Sequence, residues 1–84
     1  MPEFLLELYM PRTAAHSARR GAESARAAAD ELSRAGTPVR FVRAIFVPDD
    51  ETCFYVFEAA SAEVVRLAAE RASLAADRVA AIVG

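Results

Sequence analysis

Polar and apolar positions alternate cleanly from Pro2 to Met10. Phe4, Leu6, Leu8 and Met10 fall on one side of an extended backbone, and Glu3, Leu5, Glu7 and Tyr9 on the other. A period of two predicts a strand, ended by Pro11-Arg12-Thr13. The period then lengthens. Ala18, Ala22, Ala25, Ala29 and Leu32 recur at helical spacing, which predicts a helix beginning between Thr13 and Ser17 and running to Ala35. Four of those five positions are Ala, so the helix backbone can sit close to a sheet. Gly36 suits the position just past a helix end, and Pro38 prevents continuation. Gly21 costs about 1 kcal/mol relative to Ala inside a helix, and the pattern reads it as the mark of a late or kinked start. Arg19/Glu23, Arg26/Asp30 and Asp30/Arg34 are spaced as i,i+4 ion pairs on the wet side.

The stretch Val39–Ala59, VRFVRAIFVPDDETCFYVFEA, holds most of the large apolar side chains. It reads as two strands joined by Pro48-Asp49-Asp50-Glu51, because Pro presets φ and Asp side chains bond nearby backbone amides. An even loop pairs Val47 with Thr52, Ile45 with Phe54 and Arg43 with Val56. Alternation then puts Val42, Ala44, Phe46, Cys53, Tyr55 and Phe57 on one face, and Phe41, Arg43, Ile45, Phe54, Val56 and Glu58 on the other. The first face suits a helix-covered core. The second is also apolar, but with an Arg and a Glu embedded in it, and Glu7 and Tyr9 of the first strand join it.

After the hairpin, Ser61 caps a second helix, with Glu63 facing the positive end of the dipole. Val64, Leu67, Ala68 and Ala72 are its predicted apolar stripe, and it stops around Leu74–Ala76. Asp77–Val83 reads as a short last strand. The order β-α-β-β-α-β is the ferredoxin-like motif. Right-handed crossovers place both helices on one face of a four-stranded antiparallel sheet. The expected fold is therefore an α+β sandwich, one domain over residues 1–84. The uncovered face would leave Leu5, Phe41, Ile45, Phe54 and Val56 bare, more than a monomer normally tolerates, so a homodimer through that face is expected.

The FLLELYMP of the first strand and the long run VRFVRAIFVPDDETCFYVFEAASAEVVRLAAERASLAADRV carry a resemblance. From Glu3 to Val83 the chain resembles a family of small bacterial ferredoxin-like proteins of unknown function. The resemblance implies a dimer, and it implies nickel as a candidate metal, since some members are described as nickel-binding. It carries no ligand set over residue by residue. Family members often end strand one in a Glu-Arg pair, whereas Leu8 follows Glu7 here.

Composition narrows the chemistry. The 84 residues include no Lys, Asn, Gln or Trp, and a single cysteine, Cys53. The missing Lys and Asn fit the codon bias of a GC-rich bacterium, and they remove two common catalytic side chains. With one cysteine there is no disulfide framework and no zinc-type spacing. No apolar run approaches the ~20 residues of a membrane span, no signal peptide is expected ahead of the first strand, and the expected location is the cytoplasm. A net charge of −2 gives no pull towards nucleic acid or anionic lipid. The RNA-binding version of this motif would need a Gly in the strand Val39–Val47, and an acylphosphatase-like site would need an Asn.

The remaining candidates are few. His16, the only histidine, is the natural donor for a borderline metal such as nickel, with Glu7 as a carboxylate donor. Equally it is a solvated residue near a helix start. Glu7, Tyr9, Arg43 and Glu58 share the mixed face. They read either as ion pairs in a dimer interface or as the polar floor of a small-ligand pocket between sheets. Cys53 on a core-facing strand reads as a small buried hydrophobe. Asp49, Asp50 and Glu51 read as a solvated hairpin tip or as oxygen donors. Two function classes follow. One is a dimeric protein binding a divalent metal or small ligand. The other is a small cofactor-free enzyme of the dimeric α+β barrel type, with Glu7 or Glu58 as base.

Overall fold

The computed structural model describes residues 1–84. Its elements run β1 (Glu3–Tyr9), α1 (Ala15–Arg34), β2 (Val39–Val47), a 3-10 turn at Pro48–Asp50, β3 (Thr52–Ala59), α2 (Ala62–Arg71) and β4 (Arg78–Ala81). The strands form one antiparallel sheet in the order β2-β3-β1-β4. Both helices lie on the same face of it. Phe4, Leu6, Leu8, Cys53, Tyr55 and Phe57 of the sheet bury against Ala18, Ala25, Ala29 and Leu32 of α1 and Val65, Ala68 and Ala69 of α2. This is the ferredoxin-like α+β arrangement that the element order predicts.

The hairpin register is the expected one at its closed end. Val47 lies opposite Thr52, Ile45 opposite Phe54 and Arg43 opposite Val56. Beyond Arg43 the ladder slips, and Phe41 lies opposite Phe57. Val42 is thus an extra residue, a β-bulge, and a bulge reverses the parity of every residue beyond it. Phe41 therefore does not join the mixed face, as unbroken alternation predicts. It turns into the core, 5% exposed, with its ring edge-on to Phe57 at 5.5 Å between centroids. The same slip sends Arg40 to the uncovered face, opposite Glu58.

The helices differ from expectation in detail. Gly21 does not mark the helix start. It lies buried within α1, where a Cβ would collide with the Tyr55 hydroxyl. The missing side chain makes room for that ring, whose hydroxyl donates to the Ala18 carbonyl at 2.9 Å. None of the three expected i,i+4 pairs forms. Arg26 instead lies over the Phe41 ring at 5.1 Å, and Glu31 reaches across to Arg71 of α2 at 2.7 Å. α1 ends in a Schellman motif, with Gly36 at φ 102° and Thr37 N–H donating to the Leu32 carbonyl. α2 ends the same way on Ser73 at φ 58°, with Leu74 N–H donating to the Ala69 carbonyl. It therefore stops at Arg71, earlier than the pattern predicts. α2 also buries Val65, Ala68 and Ala69 and leaves Leu67 40% exposed, so its apolar stripe is rotated from the predicted one. Ser61 caps it as expected, accepting from Val64 N–H.

No helix is long and apolar enough to cross a membrane.

Candidate functional site

The uncovered face of the sheet carries the mixed set of residues. The register arranges them in rows across the strands. Arg40, Glu58 and Glu3 form one row, Arg43, Val56, Leu5 and Ala80 the next, and Ile45, Phe54, Glu7 and Arg78 the third. Thr52 and Tyr9 lie beyond. Apolar side chains thus occupy the middle, and charges flank them.

Four of the charges are held in two pairs. Arg40 grips Glu58 with two contacts, Nε to Oε1 at 3.0 Å and Nη2 to Oε2 at 2.9 Å. Those hydrogen bonds hold the Glu58 carboxyl below its ordinary range and raise the Arg40 pKa. Glu7 accepts from Arg78 through Nη2 at 3.0 Å and Nε at 3.2 Å. Arg43 is exposed and joins no ion pair. Tyr9 is 62% exposed, and its backbone N–H donates to Asp77 Oδ2 at 2.7 Å, which fastens the end of β1 to the start of β4.

Glu7, Tyr9, Arg43 and Glu58 therefore share one face, as the alternation implies, but they do not converge. Glu58 lies opposite Glu3, and Glu3 to Glu7 spans about 13 Å along a strand. None of the four lines a cavity. The signals that sequence reasoning missed are the cations. Arg78 sits at the start of a strand too short to show a pattern, and Arg40 changes face only because of the bulge. As an arrangement of charge, this face is neutral in sum, with Arg40–Glu58 and Glu7–Arg78 paired and Arg43 and Glu3 outside any ion pair. Glu58, held in its ionised form by a guanidinium, is a poor general base.

The metal candidates are separated too. His16 is exposed in the first turn of α1, on the helix side of the sheet, whereas Glu7 points to the other side. One ion cannot take both from one chain. No group of three or more His, Cys, Asp or Glu side chains converges to hold a metal, so the donors of a single chain do not by themselves form a nickel cage. In the acidic turn, Asp49 and Asp50 are exposed. Glu51, at φ 49°, instead reaches back so that its carboxylate accepts from Arg12 N–H at 3.1 Å. Cys53 is fully buried, and burial pushes its thiol pKa up. It is the packed hydrophobe that its position predicts.

With that geometry in place, comparison with known proteins fixes the family. The family model described as nickel responsive protein SCO4226-like matches residues 4–82. The chain belongs to the SCO4226-like family. The crystal structure of SCO4226 from Streptomyces coelicolor A3(2) superposes with a TM-score of 0.79 at 22% identity, over 95% of this chain and 94% of that one. At that identity the likeness to SCO4226 establishes a shared fold. No curated protein sequence matches the chain. The small bacterial family that the sequence resembles is thus of the SCO4226-like kind, and its description contains the word nickel.

Proposed function

We propose that this chain is a small homodimeric binding protein of the cytoplasm, whose ligand is a divalent metal such as nickel. The observation that carries the dimer is the uncovered sheet face. Leu5, Ile45 and Phe54 are only half-buried there, no element of the chain lies over them, and Glu58 and Glu7 on either side are already paired with Arg40 and Arg78. A flat apolar patch with a self-neutral rim fits a second copy of itself. The metal rests on the family description. In this reading, His16 supplies the imidazole that nickel prefers over carboxylate, and the remaining positions are filled by water or by groups of a second chain. Glu7 serves as a ligand only if it leaves Arg78, which makes it the weaker donor.

Calorimetric titration of metal-free protein with nickel tests the metal. The expected result is binding that His16→Ala abolishes and Glu7→Gln leaves nearly unchanged. Heat that persists undiminished in His16→Ala removes that ligand, and no heat in the parent removes the metal. Sedimentation equilibrium at micromolar concentration tests the dimer separately, and a 9.1 kDa species would end that part of the proposal.

A further inference from the structure

One cavity differs in kind from the other three. It lies between the N-terminal half of α1 and the free edge of the sheet, with a volume of about 230 Å³. Its walls are Ala15, Ala18 and Ala22 of α1 with Ala44 and Phe46 of β2, and its polar lining residue is Arg19. The other three are lined mainly by polar and small residues, among them Arg66, Asp77 and Arg78 beside β4, and Ser17, Ser24 and Ser73 along the two helices.

The slot has a simple cause. Where α1 passes over β2, the facing residues are alanines, so helix and strand leave a gap that larger side chains would have filled. β2 is the outermost strand, so no neighbour closes the gap from outside. Phe46 is left half-buried as one wall. Arg19 is exposed and makes no ion pair, since the expected contact with Glu23 is not made.

An apolar slot with an unneutralised guanidinium at its mouth matches one ligand chemistry. A carboxylate head meets the guanidinium in a charge-assisted, two-pronged contact, and a short apolar tail fills the alanine-lined gap. We propose that this slot binds a small carboxylate with a short aliphatic or aromatic tail. None of its lining residues belongs to the dimer face, and His16 is not among them.

The test is a two-dimensional amide NMR titration of the EDTA-treated protein with octanoate, octanol and octylamine as probes. Octanoate is expected to shift the amides of Ala15, Ala18, Arg19, Ala22, Ala44 and Phe46. Octanol, and octanoate on Arg19→Met, are expected to bind about tenfold more weakly, the loss of one charge-assisted contact. Ala44→Leu fills the slot from the exposed edge and is expected to abolish the shifts while keeping a native spectrum. If it disturbs the fold, Ala22→Val serves the same purpose. Equal binding of octylamine, undiminished binding to Arg19→Met, shifts centred elsewhere, or none up to millimolar octanoate would each overturn the proposal. Shifts at the same amides that grow with protein concentration alone would overturn it in favour of a second copy seated there.

Discussion

The two faces of the sheet both carry large apolar side chains but are solved differently. The helix-covered face is closed by its own chain. Leu6, Cys53, Tyr55 and Phe57 are fully buried, the buried Tyr55 hydroxyl has its partner, and no buried side-chain polar atom lacks one. The other face has no layer over it, and it keeps its apolar residues between two exposed ion pairs. Val56 alone is buried there, 4% exposed. The faces differ in whether charge is admitted, and charge is admitted only where water, or a partner, still reaches.

The comparison is broken most directly by truncating one large side chain on each face. Phe57→Ala is expected to cost about 3–5 kcal/mol in urea unfolding, whereas Phe54→Ala, measured at a concentration that keeps the chain monomeric, is expected to cost clearly less. Equal losses would mean that the uncovered face is as well packed as the core.

Gly21→Ala comes next. Helix propensity favours Ala by about 1 kcal/mol, yet the new Cβ would collide with the Tyr55 hydroxyl, and the ring is locked in the core. A net loss of about 1–3 kcal/mol is expected from overpacking, partly recovered in Gly21→Ala/Tyr55→Phe. A stabilised single variant would show that α1 can move away from the sheet.

Phe54→Asp sharpens the uncovered face. It is expected to keep the native circular dichroism spectrum and to sediment as a monomer, whereas the same change at Phe57 is expected to prevent folding. The Cys53 thiol gives a kinetic version of the contrast. Buried and with its thiolate disfavoured, it is expected to resist a thiol reagent in native protein and to react at once in urea. Prompt reaction of the native chain would contradict its burial.

The smallest effect belongs to the Arg40–Glu58 pair. Glu58 has a lowered native pKa, from its ordinary 4.5, owing first to the Arg40 hydrogen bond. Its contribution is present above the unfolded-state value and is lost as pH falls through the native one. Exposed pairs of this kind contribute little. Removing it with Glu58→Gln is expected to shift the thermal midpoint barely at pH 7 and not at all in acid. A larger shift at low pH than at neutral pH would reverse that sign.

Much of this was legible in the residues because local periodicity encodes it. The alternation of Phe4, Leu6 and Leu8 assigns β1 and its buried side. The alanine stripe assigns α1, Gly36 assigns its end, and the four-residue turn after Val47 fixes the hairpin register at that end. The candidate site was legible only as membership of a face. That Glu7, Tyr9, Arg43 and Glu58 share one side follows from a period of two, but their partners do not.

Three features were decided by the tertiary structure alone. The bulge at Val42 depends on pairing with β3 and has no signature in β2 itself, yet it moves Phe41 into the core and puts Arg40 opposite Glu58, where the unbroken register has Phe41. The role of Gly21 depends on Tyr55, thirty-four residues away, so a sequence can only register it as a poor helix residue. The pairing of Glu7 with Arg78 brings together the first and last strands. Local patterns set which side a residue faces, because backbone geometry repeats over two or four residues. Which side chain it meets there is set by long-range packing, where loop lengths and a single inserted residue outweigh any local preference.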